Sequence, residues 1–194
     1  MTLQGLPNRA SGPLAAAPKR GAVPPLGFAP AVPGSWLLFE VDRQVCAIDS
    51  RHVRQILPGA SVVALPGPRL PRWPGVAAWQ QRVLSVLDGG AVLGHRPSLG
   101  GEAARVLVVH DAGSPWALLV DHVRGVHQED PRSLIDVQAG LPAPWSAVPV
   151  LLPLPAEQGG DACPVLHLPT LYRACLDALA HERAQPCPST ESRS

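Results

Sequence analysis

The chain has 194 residues, of which 46% are hydrophobic and 16% are charged, and its formal net charge is +1. This length and apolar content are sufficient for one domain with a packed core. The arginines are scattered among acidic residues, whereas a nucleic-acid-binding protein usually clusters them on one face. No apolar run reaches the roughly 18–20 residues of a membrane-spanning helix, and no charged N-terminal segment precedes a long apolar core. We therefore expect a cytoplasmic protein that neither binds nucleic acid nor inserts directly into a membrane.

The ends of the chain differ in composition from its middle. Residues 1–34 are rich in proline, alanine and glycine and have no hydrophobic periodicity. Such a segment cannot bury enough apolar surface to offset the entropy lost on ordering. We predict a disordered tail over residues 1–34, one domain over residues 35–180, and a second disordered tail over residues 181–194.

The domain begins with a predicted β-hairpin. Residues 36–41 and 45–48 form alternating apolar patterns on either side of a polar turn, which is typical of two paired strands. Asp49 or Ser50 can then cap a short helix near residues 50–57, which the proline at position 58 would end. Apolar residues follow that cap at helical spacing, namely Val53, Ile56 and Leu57.

The rest of the domain is predicted to be mostly strands. Two further hairpins are indicated over residues 75–87 and 106–120. Residues 148–154 and 164–168 are further strand candidates, and the prolines in the first of them favour an edge or irregular strand. Thr170 can cap a C-terminal helix whose apolar residues share one side. Many short strands, small turns and one late helix are typical of an all-β barrel or sandwich.

The polar residues are not spaced for catalysis or for metal binding. There is no H-x-x-x-H on a helix, no C-x-x-C and no nucleophile elbow. Asp121-His122 with Ser85 is the nearest approach to a hydrolase site, and Asp88 and Asp121 more simply end strands and accept from turn donors. We expect no catalytic residue, no cofactor and no metal. We also expect the widely spaced cysteines to be reduced and buried: Cys46, Cys163, Cys175 and Cys187.

Four stretches of the sequence carry a family resemblance. The run GVAAWQQRVLSVLD, residues 75–88, resembles the central signature of the CheW-like family of chemotaxis coupling proteins. The opening FEVDRQVCAIDSRHVRQIL and the Pro-rich ALPGPRLPRWPGV are similar to that family in order and spacing. So is RVLVVHDAGSPWALLVDHVRGV, whose end matches Val-Asp-x-Val-x-x-Val. The resemblance covers about residues 35–180.

This resemblance implies both a fold and a role. The implied fold is all-β, with two small five-stranded SH3-like barrels packed together, and the predicted short helix near 50–57 and C-terminal helix are added to it. The implied role is a non-enzymatic adaptor that joins the cytoplasmic tips of chemoreceptors to the regulatory domain of a CheA-type histidine kinase. Such an adaptor would be cytoplasmic and would lie at membrane-associated receptor arrays.

The sequence departs from the family pattern around the central hairpin. Gln80-Gln81 replace an Arg-Gly pair whose Arg belongs to the receptor-contacting surface, and Ser85 replaces a Pro. The family Gly occupies a position that often has positive φ, where Gln costs about 1 kcal/mol. Either the turn has changed type or the hairpin is locally strained. By position in the family, the candidate interface residues are Val53, Gln55, which replaces a frequent acidic residue, Gln80 and Gln81. Trp79 is added because Trp beside a turn is a frequent interface anchor.

Three interpretations follow from the sequence. The first is the receptor–kinase adaptor. The second, favoured by Gln80-Gln81 and Ser85, is a diverged scaffold that docks only the kinase or serves a localisation or surface-motility system. The third is a small β-barrel hydrolase, which only the loose His, Asp and Ser content supports. Trp79 likewise has two interpretations, since a Trp beside a turn can anchor a partner or cap the end of a barrel core.

Overall fold

The computed structural model describes residues 34–66, 70–98, 101–110, 113–137, 140–156 and 160–184, without the side chains of 181–184. Except for Gly34 and the backbone of 181–184, both predicted tails lie outside these residues. The strands in the described ranges are β1 (Gly34–Val41), β2 (Gln44–Asp49), β3 (Val53–Pro58), β4 (Val62–Val63), β5 (Gly75–Trp79), β6 (Arg82–Asp88), β7 (Arg105–Val109), β8 (Trp116–Val120), β9 (His122–Glu129), β10 (Ile135–Asp136), β11 (Val150–Pro153) and β12 (Ala162–Val165). Two α-helices accompany them, α1 (Gly89–Leu93) and α2 (Leu168–Ala184).

The strands form two sheets of six strands each. The order in the first is β10-β11-β12-β2-β1-β9, and in the second β3-β7-β8-β6-β5-β4. The second sheet is thus inserted between the two chain segments that build the first. The predicted all-β class with two packed barrels is confirmed, and we call these sheets the first and second barrel.

Each barrel has six strands because its closing strand is broken in two. The two edge strands of each sheet are consecutive in the chain. A 3-10 turn at Gly59–Ser61 separates β3 from β4, and another at Pro131–Ser133 separates β9 from β10. If each broken strand is counted as one, every barrel has the predicted five strands. The sixth strand therefore comes from a bend in the closing strand, and the sequence pattern did not indicate that bend.

The apolar side chains divide into three cores because the central strands are buried on both faces. Along β7, Val106 and Val108 fill the interior of the second barrel, while Leu107 and Val109 face the first barrel. Trp36 and Leu38 of β1 likewise fill the first barrel. The shared core between the barrels is built from both sheets and α2, and includes Leu37, Phe39, Val41, Ile48, Leu87, Leu118, Val120 and Leu171. Burial of this interface holds the two barrels together.

The predicted helix near residues 50–57 is wrong for most of its length. Only Ser50–His52 is helical, as a 3-10 turn whose backbone is capped by Asp49, and Val53–Pro58 is strand β3. Strand β3 pairs with β7, with a register shift between Val53 and Gln55. Such a β-bulge adds one residue to a strand. Because of this extra residue, Val53 and Ile56 lie on the same face of the strand although they are three positions apart. Apolar residues three positions apart also share a face of a helix, which explains the incorrect helix prediction.

Two further strand predictions need correction. Strand β11 is not an edge strand, because it pairs with both β10 and β12. Its prolines are accommodated because Pro149 precedes the strand and Pro153 is its last residue. The segment predicted as a strand over 164–168 ends at Val165, and α2 begins at Leu168, two residues before the predicted cap at Thr170. Pro169 is the second residue of this helix, where its missing backbone N–H costs no intrahelical hydrogen bond.

Helix α1 was not predicted. It follows β6 directly, and buried Asp88 caps it by accepting the backbone N–H of Ala91 at 2.9 Å. The same carboxylate accepts the N–H of Ser98 at 3.0 and 2.9 Å, which fixes the loop that returns toward β7. Burial raises the pKa of Asp88. The prediction that this aspartate accepts from backbone donors after a strand is confirmed.

Candidate protein-interaction surface

The turn between β5 and β6 keeps a left-handed geometry with two glutamines in it. Gln80 has φ +44° and Gln81 has φ +61°, which is the pattern of a two-residue type I′ hairpin. This turn normally carries Asn or Gly, because a Cβ is unfavourable at positive φ. The sequence left two possibilities open, a changed turn type or a locally strained hairpin. The structure shows that the turn has kept the left-handed type and that the hairpin is locally strained. The first barrel has the same arrangement at Asp42 (φ +47°) and Arg43 (φ +69°).

Trp79 caps one end of the second barrel. Its half-buried ring packs against the interior core of that barrel, and its indole N–H donates to Gln55 Oε1 at 2.7 Å. Backbone pairing between β4 and β5 ends at Ala77. On the β4 side of β5, Trp79 therefore has no paired residue, although it pairs with Arg82 on the β6 side. The side-chain hydrogen bond bridges the barrel where that backbone ladder has stopped. The capping role of Trp79 is thus observed, and its role as a partner anchor stays a prediction.

The bulge in β3 separates two of the predicted interface residues. Val53 lies opposite Val109 and packs, half-buried, against the shared core. Gln55 lies opposite Val108, whose side chain points into the second barrel. Without the bulge, positions 53 and 55 would share a face. The structure therefore brings Gln55, Trp79, Gln80 and Gln81 together at one end of the barrel and places Val53 on the opposite face of β3.

Sequence reasoning missed the charged residues at this end of the barrel. An open groove of about 290 Å³ runs beside the turn and is lined by Arg54, Trp79, Gln80, Arg82, His110 and Pro115. Arg82 pairs directly with Trp79 across the hairpin. A two-residue turn at 80–81 requires that pairing, so the position of Arg82 beside Trp79 could have been predicted from the sequence. The position of Arg54 at the groove could not, because it results from the bulge in β3. We call Arg54, Gln55, Trp79, Gln80, Gln81 and Arg82 the hairpin-end surface.

A second, apolar surface lies on the same barrel. Val63 is 64% exposed and Val83 is 73% exposed, and cross-strand pairing connects them through Val76 and Ala78. An open groove of about 420 Å³ lies near the start of β5 and is lined by Gly59, Ala60, Val62, Ala64, Pro74, Gly101, Glu102, Ala104 and Leu119. We call this groove the apolar surface; Val63 and Val83 are not part of its lining, and Val83 lies opposite Ala78, close to the hairpin end. The apolar surface adjoins the start of β5, whereas the hairpin-end surface adjoins its end.

The residues considered for a hydrolase site are not assembled into one. Ser85 lies on β6 of the second barrel and His122 begins β9 of the first. Asp121 Oδ2 accepts the backbone N–H of Asp42 at 2.6 Å, as expected of an aspartate that satisfies turn donors. Among the described residues, no three His, Cys, Asp or Glu side chains are grouped to hold a metal ion.

The cysteines in the described ranges are buried and free, namely Cys46, Cys163 and Cys175. Burial raises the pKa of the Cys46 thiol to about 12 and those of Cys163 and Cys175 to about 11. The prediction that the thiols are buried is confirmed for these three, and Cys187 lies outside the described residues. No helix in the described part of the chain has the length and apolar character needed to cross a bilayer.

Two packed β-barrels with exposed polar and apolar surfaces define a class of interaction module. The CheW-like domain model matches residues 35–171, which begins in β1 and ends in the first turn of α2. The chain therefore belongs to the CheW-like family, and it is a scaffold of chemotaxis-type signalling. A crystal structure of the scaffolding protein TtCheW from Thermoanaerobacter tengcongensis is similar in fold, with a TM-score of 0.63 and 16% identity over 73% of this chain and 89% of that chain. No sequence among the curated proteins is significantly similar.

Proposed function

We propose that this protein is a non-enzymatic adaptor that couples chemoreceptors to a CheA-type histidine kinase. The observation that carries the proposal is the CheW-like match over residues 35–171, together with the double barrel that those residues form. CheW-like scaffolds interact in general with the kinase and with chemoreceptors. We place this adaptor in the cytoplasm at membrane-associated receptor arrays.

The working principle is a fixed geometry between two docking surfaces. We propose that the hairpin-end surface contacts the receptor tip and that the apolar surface docks the regulatory domain of the kinase. Both surfaces are on the second barrel, whose β5 extends from one to the other, so a partner on one is held at a constant distance from a partner on the other. Each contact need only be weak, because repeated linkage in an array multiplies the effective affinity.

The hairpin turn supports receptor contact in one respect and weakens it in another. Positive φ at Gln80 and Gln81 keeps the shape of a type I′ turn, so the outline of this surface does not depend on the family Arg-Gly pair. The side chains are neutral amides, which favours the second candidate, a scaffold that docks only the kinase or a localisation or surface-motility system.

Pairwise binding separates the two candidates. The full chain would be titrated separately with a soluble receptor cytoplasmic fragment and with a CheA regulatory domain, and each Kd measured by calorimetry. The proposal expects binding to both. Binding to the kinase fragment alone would select the kinase-only form of the second candidate. Binding to neither would refute both that form and the receptor–kinase adaptor, and would leave only the scaffold of a localisation or surface-motility system.

A double substitution tests the role of the turn. Gln80→Arg with Gln81→Gly should raise affinity for the receptor fragment and leave affinity for the kinase fragment unchanged. Arg43→Gly is the matched control, because Arg43 occupies the corresponding position of the turn in the first barrel, at φ +69°. No gain in receptor affinity over that control would contradict the placement of receptor contact at this turn.

A further inference from the structure

We propose that the hairpin-end surface binds an acidic segment of a partner protein, with Arg54 and Arg82 supplying the positive charge that the turn itself lacks. The inference rests on the proposed function for the use of this surface. It goes beyond that function by naming the chemistry of the bound segment and the two residues that select it.

Arg82 stands at the mouth of the second barrel. Leu84 and Val86, which follow it at alternate positions along β6, fill the barrel interior. Because alternate residues of a strand share a face, Arg82 extends the same row to the open end, where it pairs with Trp79. Its side chain is exposed there, and both it and the indole line the same groove.

Arg54 reaches the same groove from the other side because it is the bulged residue. In the pairing of β3 with β7, Val53 is opposite Val109 and Gln55 is opposite Val108, which leaves Arg54 without a counterpart. Bulges redirect side chains and are frequent next to functional sites. Here the bulge delivers an exposed guanidinium to a groove that also contains His110.

The charges of these two arginines are not neutralised within the described part of the chain. Arg51, close by in sequence, forms a forked ion pair with Asp49, in which Nη2 is 2.6 Å from Oδ2. No ion pair to Arg54 or Arg82 exists among the described residues, and none of the described residues that line the groove carries a carboxylate. An uncompensated cationic pair around a half-buried indole suits a segment that carries carboxylates and apolar side chains, since Arg and Trp are the residues most enriched at binding hot spots.

The size of the patch favours a protein over other anionic partners. Nucleic acid is usually held by a row of phosphate contacts, and anionic membranes attract clusters of about 4–8 basic residues. The described residues that line the groove include two arginines and one histidine, which is fewer basic residues than either kind of partner usually requires. The remaining lining side chains, Trp79, Gln80 and Pro115, offer an aromatic face, an amide and an apolar ring, which suit contact with a polypeptide.

The experiment uses the full chain, labelled with nitrogen-15, and a synthetic amphipathic peptide whose polar positions are all Glu. A second peptide with Gln at the same positions is the matched probe. Resonances of the Trp79 indole N–H, identified with a Trp79→Phe variant, and of the Gln80 amide report binding at the groove. We expect the Glu peptide to bind about tenfold more tightly than the Gln peptide, with the difference shrinking as salt screens the charges.

Charge reversal then tests the two arginines. Arg54→Glu combined with Arg82→Glu should weaken Glu-peptide binding about tenfold, since exposed ion pairs contribute modestly and the effects of two reversals combine. Arg43→Glu combined with Arg132→Glu, an equal charge change at exposed positions of the first barrel, should alter it less than twofold. If the reversed variant melts at a lower temperature than the wild type, Arg54→Gln with Arg82→Gln gives the same comparison without introduced repulsion.

Several results would overturn the inference. Equal binding of the two peptides would do so, as would equal losses in the first-barrel control (Arg43→Glu with Arg132→Glu) and in the variant reversed at Arg54 and Arg82. Tighter binding of single-stranded RNA or of phosphatidylserine vesicles through the same arginines would assign the surface to another class of ligand. If the receptor and kinase fragments fail to bind while the Glu peptide shifts the Trp79 indole, the proposed function fails and this inference stands. If the fragments bind the wild type and the charge-reversed variant with the same Kd, the proposed function stands and this inference fails.

Discussion

The strained hairpin makes a quantitative prediction about stability. Gln81 has φ +61°, and left-handed backbone costs a residue with a Cβ about 1–2 kcal/mol. Glycine removes that cost but loses about 0.5–1 kcal/mol more backbone entropy on folding. Because Gln81 is exposed, its removal forfeits no core packing. We therefore expect Gln81→Gly to stabilise the fold by about 0.5–1 kcal/mol, or about 1–4 °C in Tm for a domain of this size.

Urea denaturation followed by circular dichroism measures this change, with scanning calorimetry for Tm. Gln81→Ala is the decisive control, because alanine keeps the Cβ and should give no stabilisation. Arg43→Gly, at φ +69° in the other barrel, should give a gain of similar size. If alanine stabilises as much as glycine at position 81, or if glycine destabilises, the assignment of strain to positive φ is refuted.

Four further outcomes are expected. Trp79→Phe and Gln55→Ala should each cost about 0.5–1.5 kcal/mol and should couple in a double-mutant cycle, since either removes their 2.7 Å hydrogen bond; additive effects would deny the bond. Burial raises the pKa of Asp88, so the stability from its protonation is complete below the ordinary Asp pKa of 3.8 and is lost as pH rises through the folded-state pKa. Asp88→Asn should therefore reduce the pH dependence of the unfolding free energy, measured by urea denaturation, just above the ordinary Asp pKa of 3.8. An unchanged pH dependence would contradict this expectation. The three buried thiols should resist iodoacetamide at pH 8 until the protein unfolds, because their raised pKa values keep them neutral; mass spectrometry of labelled peptides checks this. Gly75→Ala should destabilise by about 1–3 kcal/mol, since a Cβ there would overlap the Val63 carbonyl oxygen, and wild-type stability would show that β4 yields easily.

The family and the central hairpin could be read from residue order because they depend on local pattern. Two apolar runs around a two-residue polar turn specify β5, β6 and the pairing of Trp79 with Arg82. The cap role of Asp88 follows from the same logic, since a carboxylate after a strand meets the free N–H groups of the next turn. Gln55 and Trp79 were both predicted as interface residues, but no local pattern indicated that they bond to each other.

The site could not be completed from the sequence because a bulge changes which side chains share a face. Val53 and Gln55 are two residues apart and were both predicted as interface residues, yet they lie on opposite faces of β3, with Val53 half-buried against the shared core. Arg54 was not considered, although the bulge brings it to the groove beside Trp79. Long-range pairing with β7 creates the bulge, and residues more than fifty positions away are invisible to local periodicity.

By itself, the order of residues determined the all-β class, the two-barrel family and the position of the strained turn, since alternation, turn residues and motif spacing are local properties. Only the tertiary structure decided that each closing strand bends into two and that residues 53–58 are strand rather than helix. It also decided that Arg54 and Arg82, which have no ion pair among the described residues, line the same groove. The physical reason is that these features depend on backbone pairing across the whole domain, where the gain from burial and ladder hydrogen bonds outweighs local helical spacing.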